Sequence, residues 1–218
     1  SHLSLFQETL LICGSVQKRK EPLFVVKENE FQAMQLVDSL QRLQPDLRVV
    51  YYNQEESLRV ETIVQSEVMQ SNRIDALYRI LSGNFDVCVT HAIASVRKIS
   101  SPQTLKDSII TVHTGDEIDI NALLMKLHFM GYRREKYVEK PFTYAMRGGI
   151  LDIYSIQMDK PLRIEFFDTE VESLRYFDID SQRSEKTVDE ATNVFATEVI
   201  LSDENIQDII KQIGRAHV

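Results

Sequence analysis

Glycine is scarce in this chain: seven in 218 residues, alongside five prolines, two cysteines and no tryptophan. A phosphate-cradling loop needs glycines so that backbone N–H groups can approach the anion, then a Lys and a Ser or Thr to meet the phosphates and the metal ion. Neither GxxxxGKS/T nor GxGxxG occurs, so the usual signature of a nucleotide-hydrolysing site is missing and no cofactor is expected. The two cysteines, Cys13 and Cys88, lie in separate apolar runs, with no CxxC pair and no Cys/His spacing suited to a metal ion. They read as two buried, reduced thiols, which fits a reducing cytosol and gives a cytoplasmic expectation. No signal peptide is visible, and no apolar run approaches the roughly 18 residues of a membrane span. Basic charge is also in deficit, 25 Lys and Arg against 33 Asp and Glu, for a net charge of −8. A domain built to grip phosphates usually carries the opposite excess, so direct nucleic-acid binding is disfavoured without being removed.

What is present is ordinary globular material, 43% hydrophobic and 27% charged, enough for a core without disulfide staples. The first half alternates helix and strand signals. Leu5 to Cys13 reads as a helix end or a buried segment. Leu23 to Val26 is a continuous apolar run typical of a buried parallel strand. Phe31, Met34, Val37, Leu40 and Leu43 recur at helical spacing, and Pro45-Asp46 breaks that helix. Leu47 to Tyr52 is a second strand. Val64 to Leu81 is a further helix carrying Val68, Ile74, Leu77, Ile80 and Leu81, closed by Gly83. Phe85 to Thr90 is a third strand, and a short helix or loop starts at His91. That order is the α/β pattern.

The second half changes character. Ser108 to Val112 reads as a strand, Thr114 to Glu117 as a turn, and Asp119 to Met130 as an amphipathic helix stopped by Gly131. Strand signals then follow one another without helices, over Tyr144 to Tyr154, Leu162 to Phe167 and Val171 to Phe177. The pattern predicts an antiparallel α+β module with one packed helix. Boundaries are expected near residues 110 and 195.

Candidate chemistry is sparse. His91 follows a strand end, but neither it, His113 nor His128 has a base or nucleophile paired with it in sequence. Asp116, Glu117 and Asp119 stand at a helix start, where capping and dipole complementation explain them better than metal binding. Val188-Asp189-Glu190-Ala191 superficially resembles a helicase acidic box, yet it follows a polar run instead of a buried strand. Lys18 to Lys20 and Arg133-Arg134 read as solvated surface.

One constellation stands out on geometry. Along Leu162 to Phe167 side chains alternate, so Leu162, Ile164 and Phe166 share the core face while Arg163, Glu165 and Phe167 share the other. An aromatic ring beside an arginine on an outer face is the composition of a binding hot spot. The alternative, a loop or neighbouring domain covering Phe167, stays open. Gly148-Gly149 after Arg147 suggests a bulge or a close backbone approach, and a bulge would turn Arg147 to the same outer face.

These segments carry a resemblance. Met146 to Tyr154 (MRGGILDIY) resembles the RGGIxDIxP-type segment shared by the excinuclease component UvrB and the bacterial transcription-repair coupling factors. Pro161 to Asp168 with Glu170 to Arg175 resembles the next shared segment. Ser181-Gln182-Arg183-Ser184 is the coupling-factor form of the turn that follows. Ser71 to Leu77, Gly115 to Asp119 and Met130 to Tyr132 also fit, so the resemblance spans nearly the whole chain. Ser155 departs from it, standing where the family commonly has proline.

The resemblance implies the UvrB-like N-terminal region of that family. Residues 1–109 would be a RecA-like (P-loop-like) α/β subdomain with a degenerate nucleotide site. Residues 110–194 would be an inserted antiparallel subdomain that binds the excinuclease component UvrA, and 195–218 a return segment to the first. The family's degenerate phosphate-loop region would lie at or before residue 1, with Leu3-Ser4-Leu5 as its remnant. The family's UvrA contact residues map onto Arg147, Arg163 and Phe167. The resemblance leaves ATP-driven translocation, RNA polymerase and DNA to other domains of a full-length factor. Two rival readings stay open, a DNA-contacting UvrB-like module and a residual nucleotide-binding domain.

Overall fold

The structure is a computed structural model that describes residues 3–53 and 67–200. The expected helix start at Val64 and the expected return segment past residue 200 lie outside the described residues. The chain is mixed α/β, and its contacts divide it into two compact units between Lys98 and Ile99, upstream of the pattern change near residue 110.

The first unit runs α1 (Leu5–Arg19), β1 (Leu23–Lys27), α2 (Glu30–Leu43), β2 (Val49–Tyr52), α3 (Glu67–Leu81), β3 (Val87–His91) and α4 (Ala92–Ser95). Ser4 starts α1 through a capping box: its hydroxyl accepts from the Gln7 N–H while the Gln7 side chain accepts from the Ser4 N–H. The three strands are parallel in the order β1-β3-β2, with β3 central and buried throughout. Ile12 and Cys13 of α1, Ala33, Leu36 and Leu40 of α2, and Val49, Val87 and Val89 of the sheet form one core. Gly83 closes α3 at φ +69°. Its N–H bonds the Ile80 carbonyl and the Asn84 N–H bonds the Arg79 carbonyl, the two bonds of a Schellman cap.

Two expectations need correcting here. The Leu23 to Val26 run is parallel but not buried on both faces: among the described residues it is an edge strand, and Phe24 is 63% exposed. On α2, Phe31, Met34 and Leu43 of the expected stripe are exposed, and the buried stripe is Ala33, Leu36 and Leu40. A stripe carrying the small Ala33 lets the helix sit close to the strands, and that outweighs the larger rings and chains a third of a turn away.

The second unit contains α5 (Pro102–Ser108), β4 (Ile110–His113), α6 (Ile120–Phe129), β5 (Arg133–Arg134), β6 (Thr143–Arg147), β7 (Ile150–Tyr154), β8 (Leu162–Phe167), β9 (Glu170–Phe177), β10 (Ser184–Val188) and β11 (Glu190–Asn193). Its main sheet has the order β10-β9-β8-β7-β6-β5. Strands β6 to β10 form an antiparallel meander, while β5 pairs with β6 in parallel. β4 leaves this sheet to pair with β11. α6 is capped by Asp119, whose carboxylate accepts from the Asn121 and Ala122 N–H groups, and Gly131 follows its end at φ +92°. The chain after β11 is sewn onto this unit. The buried Tyr132 hydroxyl donates to the Val194 carbonyl (2.7 Å), the Ala196 N–H to the Met130 carbonyl (2.7 Å), and the Val194 N–H to Ser155 Oγ (3.0 Å). Ser155 thus makes a hydrogen bond that proline at its position would not.

The Tyr144 to Tyr154 stretch is two strands. Gly148-Gly149 forms a two-residue hairpin turn with Arg147 paired to Ile150 and Gly148 at φ +59°, the glycine position of a type II′ turn. The close approach is real as well: the Gly149 carbonyl accepts the Phe166 N–H at 2.8 Å, and a Cβ on Gly149 would lie 2.8 Å from the Phe166 carbonyl oxygen. The bulge falls elsewhere, between Glu165 and Phe166 of the β8–β9 ladder, with Glu172 as the extra residue. Among the described residues no helix is long and apolar enough to cross a membrane.

Two measurements follow from this packing. Burial raises both thiol pKa values, that of Cys88 to about 11. A chromogenic disulfide reagent at about pH 8 should therefore leave the native thiols nearly untouched and react with both on denaturation, at least about 100-fold faster. Gly149→Ala should cost about 1–3 kcal/mol in a urea melt, since its methyl meets backbone that cannot swing aside.

Candidate functional site

The β8 strand shows the expected alternation. Leu162, Ile164 and Phe166 are buried, while Arg163, Glu165 and Phe167 point to the other face. Phe167 is 74% exposed, so its ring is uncovered in this unit. It stands at the tip of β8 before a tight turn, where Asp168 takes φ +56° and Phe167 pairs with Glu170.

Behind Phe167 the same face holds a buried carboxylate. Asp152 sits mid-strand on β7, flanked by Ala145 of β6 and Arg163 of β8, with no exposure. Arg163 grips both its oxygens, Nε to Oδ1 at 2.7 Å and Nη2 to Oδ2 at 2.9 Å. Arg147 reaches Oδ2 from β6 with Nη2 at 2.7 Å. Both arginines therefore share the outer face; the hairpin register places Arg147 there, with no bulge.

The two arginines differ in what they leave for a partner. Arg163 has only 14% of its side chain exposed, donates Nη1 to the Gln182 carbonyl at 3.1 Å, and stacks its guanidinium 4.4 Å above the Phe177 ring. All three of its nitrogens are engaged inside the unit. The Asp152 hydrogen bonds hold Arg163 above its ordinary basicity against the opposing effect of burial. Arg147 is 37% exposed, carries one carboxylate bond and one long contact to the Lys136 carbonyl (3.4 Å), and lies 4.8 Å from the centre of the Tyr137 ring. Arg147 is thus the more outward of the two arginines, and Arg163 is an internal brace.

The turn that supplies Gln182 is itself ordered. Asp178 accepts from the Ser181 N–H and hydroxyl, the Gln182 N–H bonds the Asp178 carbonyl, and Gln182 adopts φ +57°. The two Ser181 bonds keep the Asp178 carboxyl below its ordinary pKa, the Ser181 N–H contributing most. Farther along the face, Glu165 pairs with Arg175 (3.0 Å) and accepts from the Ser173 hydroxyl (2.7 Å).

Residues 110–198 match the family model described as UvrB interaction domain. The chain is 34% identical over 185 residues to the transcription-repair-coupling factor of Bacillus subtilis (strain 168), covering 84% of this chain and 16% of that protein. It is 30% identical over 215 residues to the same factor of Staphylococcus epidermidis RP62A and 27% identical to that of Staphylococcus aureus USA300, each match covering 99% of this chain and 18% of the relative. The chain is homologous to the transcription-repair coupling factors, and its residues 110–198 belong to the UvrB interaction domain family. It spans less than a fifth of the length of these relatives.

Arg147, Arg163 and Phe167 all lie within the UvrB interaction domain. Asp152, which joins the two arginines, is absent from the candidates that the sequence yields, although a lone acid in Ile150-Leu151-Asp152-Ile153 between two arginine-bearing strands is a readable signal. The other candidates resolve into structural roles. His91 is buried and its Nε2 meets Asn53 Oδ1 at 3.1 Å. His113 lies between Asp116 (3.4 Å) and Glu190 (3.1 Å) at an exposed strand pair. The Asp189-Glu190 box lies at the start of β11, not at the end of a parallel strand. Among the described residues no group of three or more His, Cys, Asp and Glu is set to hold a metal ion.

The clamp predicts a contrast in stability. Arg163→Ala leaves a buried carboxylate with one partner and should cost about 2–4 kcal/mol in urea denaturation. Phe167→Ala, at an exposed ring, should stay within about 0.5 kcal/mol of the parent. Equal midpoints for Arg163→Ala and the parent would show that the clamp holds nothing in place.

Proposed function

We propose that this chain is a non-catalytic recruitment module of nucleotide excision repair that docks UvrA through the outer face of β6, β7 and β8. Phe167 is the apolar anchor, Arg147 the outward cation, and Arg163 the brace that keeps both strands in register through Asp152. The observation that carries the reading is the exposed Phe167 ring at the tip of an antiparallel sheet whose same face carries, two strands away on β6, the partly exposed Arg147 guanidinium. A ring in that setting gains most by entering an apolar pocket, and an arginine elsewhere on the same face selects a carboxylate on the partner. Membership of residues 110–198 in an interaction-domain family supports a role in binding over one in catalysis.

The parallel unit reads, on the same proposal, as a RecA-like remnant that carries no phosphate loop. Its β-α-β order around a buried central strand supports this, as does the lack of glycine-rich phosphate motifs. Translocation and contacts with RNA polymerase or DNA would belong to other parts of a full-length factor.

Calorimetry with purified UvrA tests the docking face. Phe167→Ala should lose about 2 kcal/mol or more of binding free energy, and Arg147→Ala about 1–2, with unfolding midpoints unchanged for Phe167→Ala. Parent-like affinity in Phe167→Ala would sink the assignment.

A further inference from the structure

The loop between β5 and β6 places a second aromatic ring on the proposed docking face. Tyr137 is 47% exposed, with the Arg147 guanidinium 4.8 Å and the Lys136 ammonium 5.5 Å from its ring centre, both within cation–π range. This is not a loosely hanging side chain. The next residue, Val138, has no exposure and packs with Ala145, Phe177 and the partly buried Tyr154 on the sheet. Upstream, the Arg133 N–H bonds the Phe142 carbonyl (2.9 Å) and the Glu135 N–H the Tyr144 carbonyl (2.8 Å). With the backbone pinned on both sides and Val138 turned in, Tyr137 is held out.

We propose that Tyr137 is a second aromatic anchor of the docking face, seated with Arg147 and Lys136 on a carboxylate-bearing apolar patch of UvrA. The inference rests on the docking reading above. Phe167 and Tyr137 bracket that face from its two sides, β8 and the loop beside β6. At about 4.8 Å per strand the β8-to-β6 step is roughly 10 Å, and the loop extends it further. Such a span fits within the roughly 800 Å² that each partner contributes to a standard interface. Aromatic rings separated by a cation are how such interfaces concentrate affinity. The chemistry selects the partner's features. Two cations bracketing one ring favour an acid, and the exposed ring faces favour an aliphatic or aromatic neighbour of that acid.

The test is calorimetry of the full 218-residue chain with purified UvrA, with Phe167→Ala measured in parallel. Tyr137→Ala should weaken Kd roughly tenfold with an unchanged unfolding midpoint, and Tyr137→Phe should bind within about twofold of the parent. Lys136→Glu, at a solvated position, should weaken binding about threefold or more. In the double variant Tyr137→Ala with Arg147→Ala, the loss should be smaller than the product of the single losses, because ring and guanidinium act together. If Tyr137→Ala and Lys136→Glu both bind like the parent while Phe167→Ala is weakened, the second anchor is overturned and the docking face stands. If the parent does not bind UvrA, or Phe167→Ala matches it, the docking reading fails and the second anchor with it.

Discussion

Asp152 is a carboxylate with no access to water in the middle of a sheet, and much of the second unit is arranged around meeting its charge. Taking a carboxylate out of water costs several kcal/mol even after relaxation, and one opposite charge often only offsets that. Here two guanidiniums share the task, arriving from the strands on either side and making three bonds of 2.7–2.9 Å. Three apolar residues could fill the same space with equal or greater stability. What they could not do is fix two long side chains to one point. The clamp therefore supplies geometry more than free energy, tying β6, β7 and β8 together at the level of side chains.

The turn between β9 and β10 contributes to the same arrangement. Ser181-Gln182-Arg183-Ser184 bends back so that the Gln182 carbonyl receives the last nitrogen of Arg163, while Phe177 supplies the ring beneath it. A left-handed φ at Gln182 is a strained choice for a residue other than glycine, and Asp178 holds it with hydrogen bonds from both ends of the turn. On the proposed docking reading, such order lowers the entropy lost on binding, since the face does not have to be assembled on contact.

How much of this is legible in the sequence follows from which constraints are local. The outward direction of Phe167 is readable because β8 has one buried face, and a period of two leaves no freedom once Leu162 and Ile164 are inside. Arg147 reaches the correct face in the sequence reading through a bulge that is not there; the register of a hairpin does it instead. The edge position of β1 is invisible because strand order depends on residues far along the chain. The buried stripe of α2 is misread because Phe31 and Met34 outweigh Ala33 on any hydrophobicity count, whereas close packing favours the small residue. Helix α5 carries its own signal, Ser101 as cap and Pro102 at the first position, in a stretch too short to show a helical period. Asp152 is hidden by its motif: inside a resembling segment a residue is matched, and its lone charge among aliphatics goes unweighed.

The net charge of −8 bears on this face less than it first suggests. At physiological ionic strength the screening length is about 8 Å, shorter than the span of the proposed docking face, so a partner near Tyr137 and Arg147 would respond mainly to the side chains within that radius. Lys136 and Arg147 flank the ring directly, and Asp152, the acid beside them, is buried and already matched by two arginines. Overall composition bears on phosphate gripping, because such binding sums many contacts along a backbone. It is nearly silent about a compact protein-docking face such as the one proposed, where an outward arginine beside an exposed ring addresses a single acid.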